Sequence, residues 1–461
     1  MKSKATTADA YKLIHNGILA LARAERQGIR VDLEYCERQR KRLTKKINQL
    51  EKEIQGSKFY KRWHHIHGNK TNIYSNHQLS NLLYKHMKID PPKTTVTGEG
   101  ATDEEALKQI DIPELKLILQ VRKMAKVRDT YLDSFIRETN IDGYMRPSFD
   151  LHTVRTFRSS SSNPNFQNIP KRDKESMMIC RRAILPRPGH LLAEADFSAI
   201  EVMISTCYHK DPVMMKYLRD KNSDMHGDMA KQIYFLDNTF DKNIPAYKTL
   251  RNGAKNGFVF PQFYGDYYGN NAKSLCEWAN LSLVSKWKKK SGIELPSGIN
   301  IAEHLMGNGV KNFNQFINHI KHVEDDFWNR RFKVYNRWRK DWVAEYQRNG
   351  FLKMFTGFTC SGVMRKNEII NYPIQGTAFH CLLMTFILTD SIMRKEKWDT
   401  KLIGQIHDSI VMDVHPNEVD HVKGTLNRIV EEELPKIWDW IIVPLEIELE
   451  TYEIDGSWIK G

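Results

Sequence analysis

The stretch GQIHDSIVMDV, residues 404–414, consists of two apolar runs pinched around a His and an Asp. Ile403 and Ile406 precede the pinch, and Ile410, Val411, Met412 and Val414 follow it. β-Branched runs broken by a short polar pair predict a hairpin with His407 and Asp408 at its tip. Strands this apolar have no packing use for a carboxylate at their turn, so Asp408 points to chemistry. A second such residue stands in HLLAEADFSAIEVMI, residues 190–204, an apolar strand running into a helix with Asp196 at the junction. Strand-end aspartates from distant segments can converge on one edge of a sheet. Two carboxylates a few ångströms apart repel, and one tends to keep its proton. Mg²⁺ resolves that conflict, since it takes oxygen ligands and leaves room for water and phosphate. Two ions ~3.5–4 Å apart can clamp both oxygens of a phosphoryl displacement.

The rest of the 461-residue chain is consistent with such a substrate. Lys and Arg number 70 against 56 Asp and Glu, a net charge of +14. That excess favours a polyanionic partner, most simply nucleic acid, although solubility alone also accounts for a moderate surplus. The hydrophobic share of 41% supports sizeable cores, and the length suggests two or three lobes. Six scattered cysteines without a CxxC pair read as free thiols in a reducing compartment. No signal peptide and no apolar run of membrane-spanning length is expected, so the chain reads as cytoplasmic, with no membrane partner.

Along the chain, Leu19 to Gln55 reads as highly charged helix, with Leu43, Ile47, Leu50 and Ile54 as a narrow apolar stripe ended by Gly56. WHHIHGNK places His64, His65 and His67 together without a carboxylate or Cys at ligand spacing, which favours a surface loop touching phosphate over a metal site. Thr102 to Glu105 reads as a capping box opening a further helix. RTFRSSSSNPNFQNIP, residues 155–170, is dense in turn formers, and residues 207–365 read as mostly helical.

RNGAKNGFVFPQFYG, residues 251–265, supplies cations. Arg251 and Lys255 are four apart and share a helix face, which in isolation is more often a solvated basic face than a site. Gly253, Gly257 and Pro261 make a poor helix, so a functional constraint is expected there. Ser198 to Glu201 matches a capping box, which gives Glu201 a purely structural reading.

Together these segments resemble the family A DNA polymerases, the group of bacterial DNA polymerase I and many phage replicases. DFSAIE and QIHDSI are similar to that family's two carboxylate motifs, RNGAKNGFVFPQFYG to its fingers helix, and RSSSSNPNFQNIP and NYPIQGTA to its template- and primer-contacting segments. The resemblance runs from ERQGIRVD through SNHQLSNLLYKHMKI to VPLEIELETYEIDGSW. It implies an α+β right-hand polymerase. The implied divisions are an N-terminal segment (1–17), a helical thumb (18–150) and an antiparallel-sheet palm (151–206 and 370–461). Helical fingers would occupy 207–369.

The resemblance further implies two Mg²⁺ ions, with Mn²⁺ as an alternative, held by Asp196, Asp408 and the carbonyl of Phe197. Lys255 is implied as proton donor to pyrophosphate, and Arg172, His226, Arg251, Lys255, Phe260 and Tyr264 as contacts of the incoming dNTP. Arg158, Asn165, Gln167, Asn168, Asn371, Gln375 and His407 match positions that contact primer-template DNA or support the site; capping of loops is the alternative reading of the polar ones. Glu201 becomes the steric gate against a ribose 2′-hydroxyl.

Three departures stand out. Ser409 replaces the family's usual Glu, Met203 stands where bacterial enzymes often carry Arg, and an insertion lies between Gly265 and Phe327, centred on 270–325. The residues ahead of Glu25 leave no room for a 3′–5′ exonuclease domain, so a separate exonuclease, helicase or processivity partner is compatible with the sequence. The origin implied is a bacterial or phage-infected cell. The alternatives are a single-subunit RNA polymerase, against which Glu201 argues, and a catalytically silent nucleic-acid-binding subunit, against which the retained Asp196, Asp408, Arg251 and Lys255 argue. Finally, Lys255 to Phe260 is a step of five where the family pattern steps by four. A π-type turn between Gly257 and Pro261 is predicted to restore the alignment, because Pro261 lacks the amide for a regular bond.

Overall fold

The computed structural model of the chain describes residues 5–95, 97–171, 173–220, 222–237 and 239–460. At its centre lies a four-stranded antiparallel sheet. Its order is Ile447–Ile454, Leu191–Phe197, Ser409–Val414, Lys401–Ile406. The strand Leu191–Phe197 is apolar except for Glu194 and Asp196 and is covered on both faces, which explains its nearly unbroken run of buried residues. The predicted hairpin is present, with both strands almost wholly buried.

Against the sheet pack the N-terminal helix Thr7–Gln27 and the long helix Lys366–Glu396. By length and composition this long helix could cross a membrane, which corrects the expectation that no segment could. Within the fold, 72% of its most apolar stretch is buried against protein. Apolar residues on every side of a helix are what a core position demands.

Buried side chains form two large cores. One runs from the N-terminal helices through the sheet to Trp458. The other gathers the helices between Met214 and Tyr335. The 270–325 insertion belongs to the second core: Trp287, Leu295, Ile301 and Phe316 are all buried in it.

Several local expectations are corrected. The helix read over 19–55 is two helices, Thr7–Gln27 and Leu33–Gly56, separated by the strand Ile29–Val31. Gly28, at φ 72°, makes that break. The stripe survives: Leu43, Ile47 and Ile54 are buried. Gly56 closes the second helix from within, and Ser57 is the C-cap. The segment ahead of residue 150 is therefore not all helical. His64, His65 and His67 lie on the helix Lys58–His67, not in a loop, because buried Phe59 and Trp63 dock that helix. The cap of the helix Glu104–Leu107 is Asp103, which accepts from the Ala106 amide, while Thr102 is buried.

Candidate active site

The two aspartates meet because of strand register. Ser409 pairs with Asp196 across the sheet, and the Phe197 amide donates to the Asp408 carbonyl at 3.2 Å. The hairpin tip therefore sits against the end of the central strand. Both turns contain a non-glycine residue in the left-handed region, His407 at φ 50° and Ala199 at φ 50°. Such residues persist only where the surroundings over-determine them, and they cluster at working sites.

Glu201 is not part of a capping box. The helix begins at Ile200, its N-cap is the left-handed Ala199, and no side chain caps it. Instead the Glu201 carboxylate accepts from the Arg158 guanidinium through one oxygen and from the Tyr264 hydroxyl through the other. Arg158 also lies 4.0 Å from Asp408. One carboxylate thus joins the 155–170 loop, the strand-to-helix turn and the 251–265 segment.

Phe197, Glu201, Phe260, Tyr264, Asn371, Gln375 and Asp408 line a cavity of about 220 Å³. On the other side of the tip, His407, Gln167 and Asn168 line a cleft of about 950 Å³. Lys108, Lys116, Arg122, Lys123, Lys126 and Lys171 lie along it. Adjacent tip residues thus face two spaces, one pocket-sized and one groove-like.

The predicted π-turn exists but starts earlier. It spans Lys255–Val259, where the Phe260 amide donates to the Lys255 carbonyl five residues back. The extra residue is absorbed before Pro261, so the proline follows the irregularity. Val259 is wholly buried, whereas Phe260 reaches the cavity. The Phe260 ring lies 5.3 Å from the Lys255 ammonium and 5.7 Å, edge to face, from His226. The glycines of this poor helix also have a packing reason. A Cβ on Gly253 would come within 2.8 Å of Trp278, and one on Gly257 within 3.0 Å of Ser274.

Arg251 is engaged by Asp224, at 2.7 Å and 2.8 Å through two nitrogens. Burial, seconded by the charges of Arg251 and Lys255, pushes the His226 imidazole down to about 4, so it is neutral at pH 7. Its buried Nδ1 has no partner among the described residues. Partial burial pushes the Asp196 carboxyl above its ordinary range, opposed by Lys171 and reinforced by Glu194 and Asp408.

Two of the expected residues are also engaged within the 155–170 loop or with the hairpin. Gln167 is buried and donates to Ser159 at 2.8 Å and to Gln405 at 2.6 Å, tying its loop to the hairpin. Asn165 is exposed and accepts from Ser161 at 3.1 Å. Arg172 lies outside the described residues. Sequence reasoning missed Lys171, Glu194, Arg181 and Asp224. Only Glu194 carried a signal, as a carboxylate two residues before Asp196 in a buried strand.

The fold is that of a polymerase domain. It superposes on the polymerase domain of Pol1 from M. smegmatis, solved in complex with DNA primer-template and dNTP. The TM-score is 0.69 at 21% identity, covering 96% of this chain and 69% of that one. The family model for DNA polymerase family A matches residues 33–457, and the chain belongs to that family. It is 28% identical over 447 residues to DNA polymerase I of Aquifex aeolicus and 25% over 458 residues to the thermostable DNA polymerase I of Thermus filiformis. These alignments cover 95% and 96% of this chain but 66% and 47% of those relatives, so the chain spans less than two thirds of their length.

Proposed function

We propose that the chain carries out template-directed DNA synthesis, adding dNTPs to a primer 3′-hydroxyl by nucleotidyl transfer. The observation that carries this reading is the register that sets Asp196 and Asp408 at one end of the sheet, between a cavity lined by Glu201, Phe260 and Tyr264 and a basic cleft. In this reading residues 18–150 act as thumb, 151–206 and 370–461 as palm, and 207–369 as fingers. The relatives named as DNA polymerase I, and the Pol1 domain bound to primer-template and dNTP, support it.

The donor set fits a hard divalent cation. Among the described residues no cluster of three or more His, Cys, Asp or Glu could enclose a metal. Two carboxylates and the Phe197 carbonyl leave coordination positions for water and phosphate, which suits Mg²⁺ and its analogue Mn²⁺. Two such ions bound there supply charge neutralisation at the attacking and leaving oxygens.

The chain's own residues do the positioning on which phosphoryl transfer depends. Lys255 and Arg251 hold the triphosphate, which displaces Asp224 from Arg251, and Lys255 stands ready to protonate the departing pyrophosphate. Neutral His226 offers a hydrogen bond to the phosphates, and Phe260 packs on the nucleoside. His407, Asn168 and the lysines of the cleft bear on the primer-template. Glu201, which lines the cavity with Phe260, serves as the gate against a 2′-hydroxyl, and that role favours deoxynucleotides over the RNA polymerase reading.

Replacing Asp196 or Asp408 by Ala is expected to slow primer extension at least about a thousandfold, ~4 kcal/mol of transition-state stabilisation. Primer-template binding by anisotropy should persist. Extension within tenfold of the parent by either variant would remove the assignment.

A further inference from the structure

Glu194 sits two residues before Asp196 on one strand, so both side chains project from the same face. It is 4% exposed. Its Oε2 lies 3.1 Å from Arg181, whose guanidinium stacks 4.1 Å over the ring of wholly buried Trp458. Its Oε1 accepts from the Ser409 hydroxyl at 3.0 Å. The Lys171 ammonium completes the group, 3.7 Å from Glu194 and 3.6 Å from Asp196 Oδ2.

The charges can be assigned. Arg181 is buried with Glu194 and neutralises it, so the charge of Lys171 is left over for Asp196. Ser409 makes the arrangement possible. A carboxylate at 409, which the resemblance leads one to expect, would set a second negative charge against buried Glu194, on the oxygen that now accepts from Ser409. In this chain the negative charge stands on the central strand, at Glu194, and Lys171 stands beside it.

We propose that Lys171 is a positioning residue that serves as the tethered counter-cation of Asp196, anchored by Glu194, and that a divalent ion must displace it to bind. The inference rests on the reading of Asp196 as a metal ligand. Lys171 has the freedom to withdraw: its side chain is 59% exposed and borders the large cleft. Repulsion from an arriving dication drives it off Asp196, and Glu194 retains it nearby.

The test is Mn²⁺ binding to the full chain, read from the electron paramagnetic resonance signal of the free ion. Lys171→Met should tighten the binding that Asp196→Asn abolishes by about tenfold, the order expected for one unit charge a few ångströms away. Lys171→Arg should keep the parental affinity. Because Lys171 is largely exposed, neither variant threatens the fold. If Lys171→Met leaves affinity unchanged or weaker while Asp196→Asn still abolishes it, the counter-cation role is overturned and Asp196 remains a ligand. If Asp196→Asn binds Mn²⁺ like the parent, the reading of Asp196 falls and the proposal falls with it.

Discussion

Glu201 shows how much a single side chain can be asked to hold. Its carboxylate takes the Arg158 guanidinium on one side and the Tyr264 hydroxyl on the other, and it borders the cavity together with Phe260. As it caps no helix, its loss removes no amide partner. Glu201→Ala is therefore expected to raise ribonucleotide relative to deoxynucleotide incorporation, measured as the ratio of kcat/KM values. Helix stability should be nearly unchanged, whereas a lost cap costs ~1 kcal/mol. An unaltered ratio with a lowered melting temperature would place the discrimination elsewhere. Arg158, released by the same change, still has Asp408 at 4.0 Å.

At the scale of the element, the decisive feature is the five-residue turn in the 245–263 helix. A regular helix advances about 100° per residue, so a five-residue step would carry Phe260 off the face bearing Lys255. The π-turn over Lys255–Val259 takes up the excess, placing Phe260 at the cavity and Val259 in the core. Phe260→Tyr is expected to increase acceptance of dideoxynucleotides, assayed by chain termination at fixed dideoxy-to-deoxy ratios. Val259→Ala should leave that selection alone and cost ~1–3 kcal/mol of stability as a core truncation. A dideoxy effect confined to Val259 variants would contradict the observed register. The glycines complete the element, since the neighbouring helix Tyr268–Trp278 approaches where Gly253 and Gly257 lack a Cβ.

At the scale of the whole molecule, the net charge of +14 acquires a location. Lys108, Lys116, Arg122, Lys123, Lys126 and Lys171 line one cleft leading to the hairpin tip. Several are internally engaged: Lys108 with Glu104, Lys123 with Asp173, and Arg122 with the Ile73 carbonyl and Asn76. Lys116 and Lys126 make no ion pair among the described residues, which leaves their charges for phosphate. Replacing both by Gln should weaken primer-template binding uniformly across sequences. The slope of log affinity against log salt should fall by about 0.9 for each phosphate that is no longer neutralised. Anisotropy titrations at several salt concentrations measure both, and an unchanged slope would take the duplex out of this cleft.

The sequence by itself determined the hairpin at 404–414, the strand-to-helix junction at Asp196, the cationic segment 251–265 and even the need for an irregular turn within it. These are local or periodic signals: alternating burial, turn chemistry, the spacing of residues along one helix. Their positions in the chain also carried the family resemblance. Tertiary structure alone decided which groups answer one another. Asp224 on Arg251, Arg158 and Tyr264 on Glu201, and Lys171 between Glu194 and Asp196 join residues far apart in sequence or on different elements. The capping-box reading of Glu201 failed for the same reason. Its S-x-x-E pattern is a local signal, and the paired strands forced a left-handed Ala199 into the place the cap required. Periodicity records which way a side chain points, but a charge's partner depends on which strands pair and in what register, and that is settled only when the sheet closes.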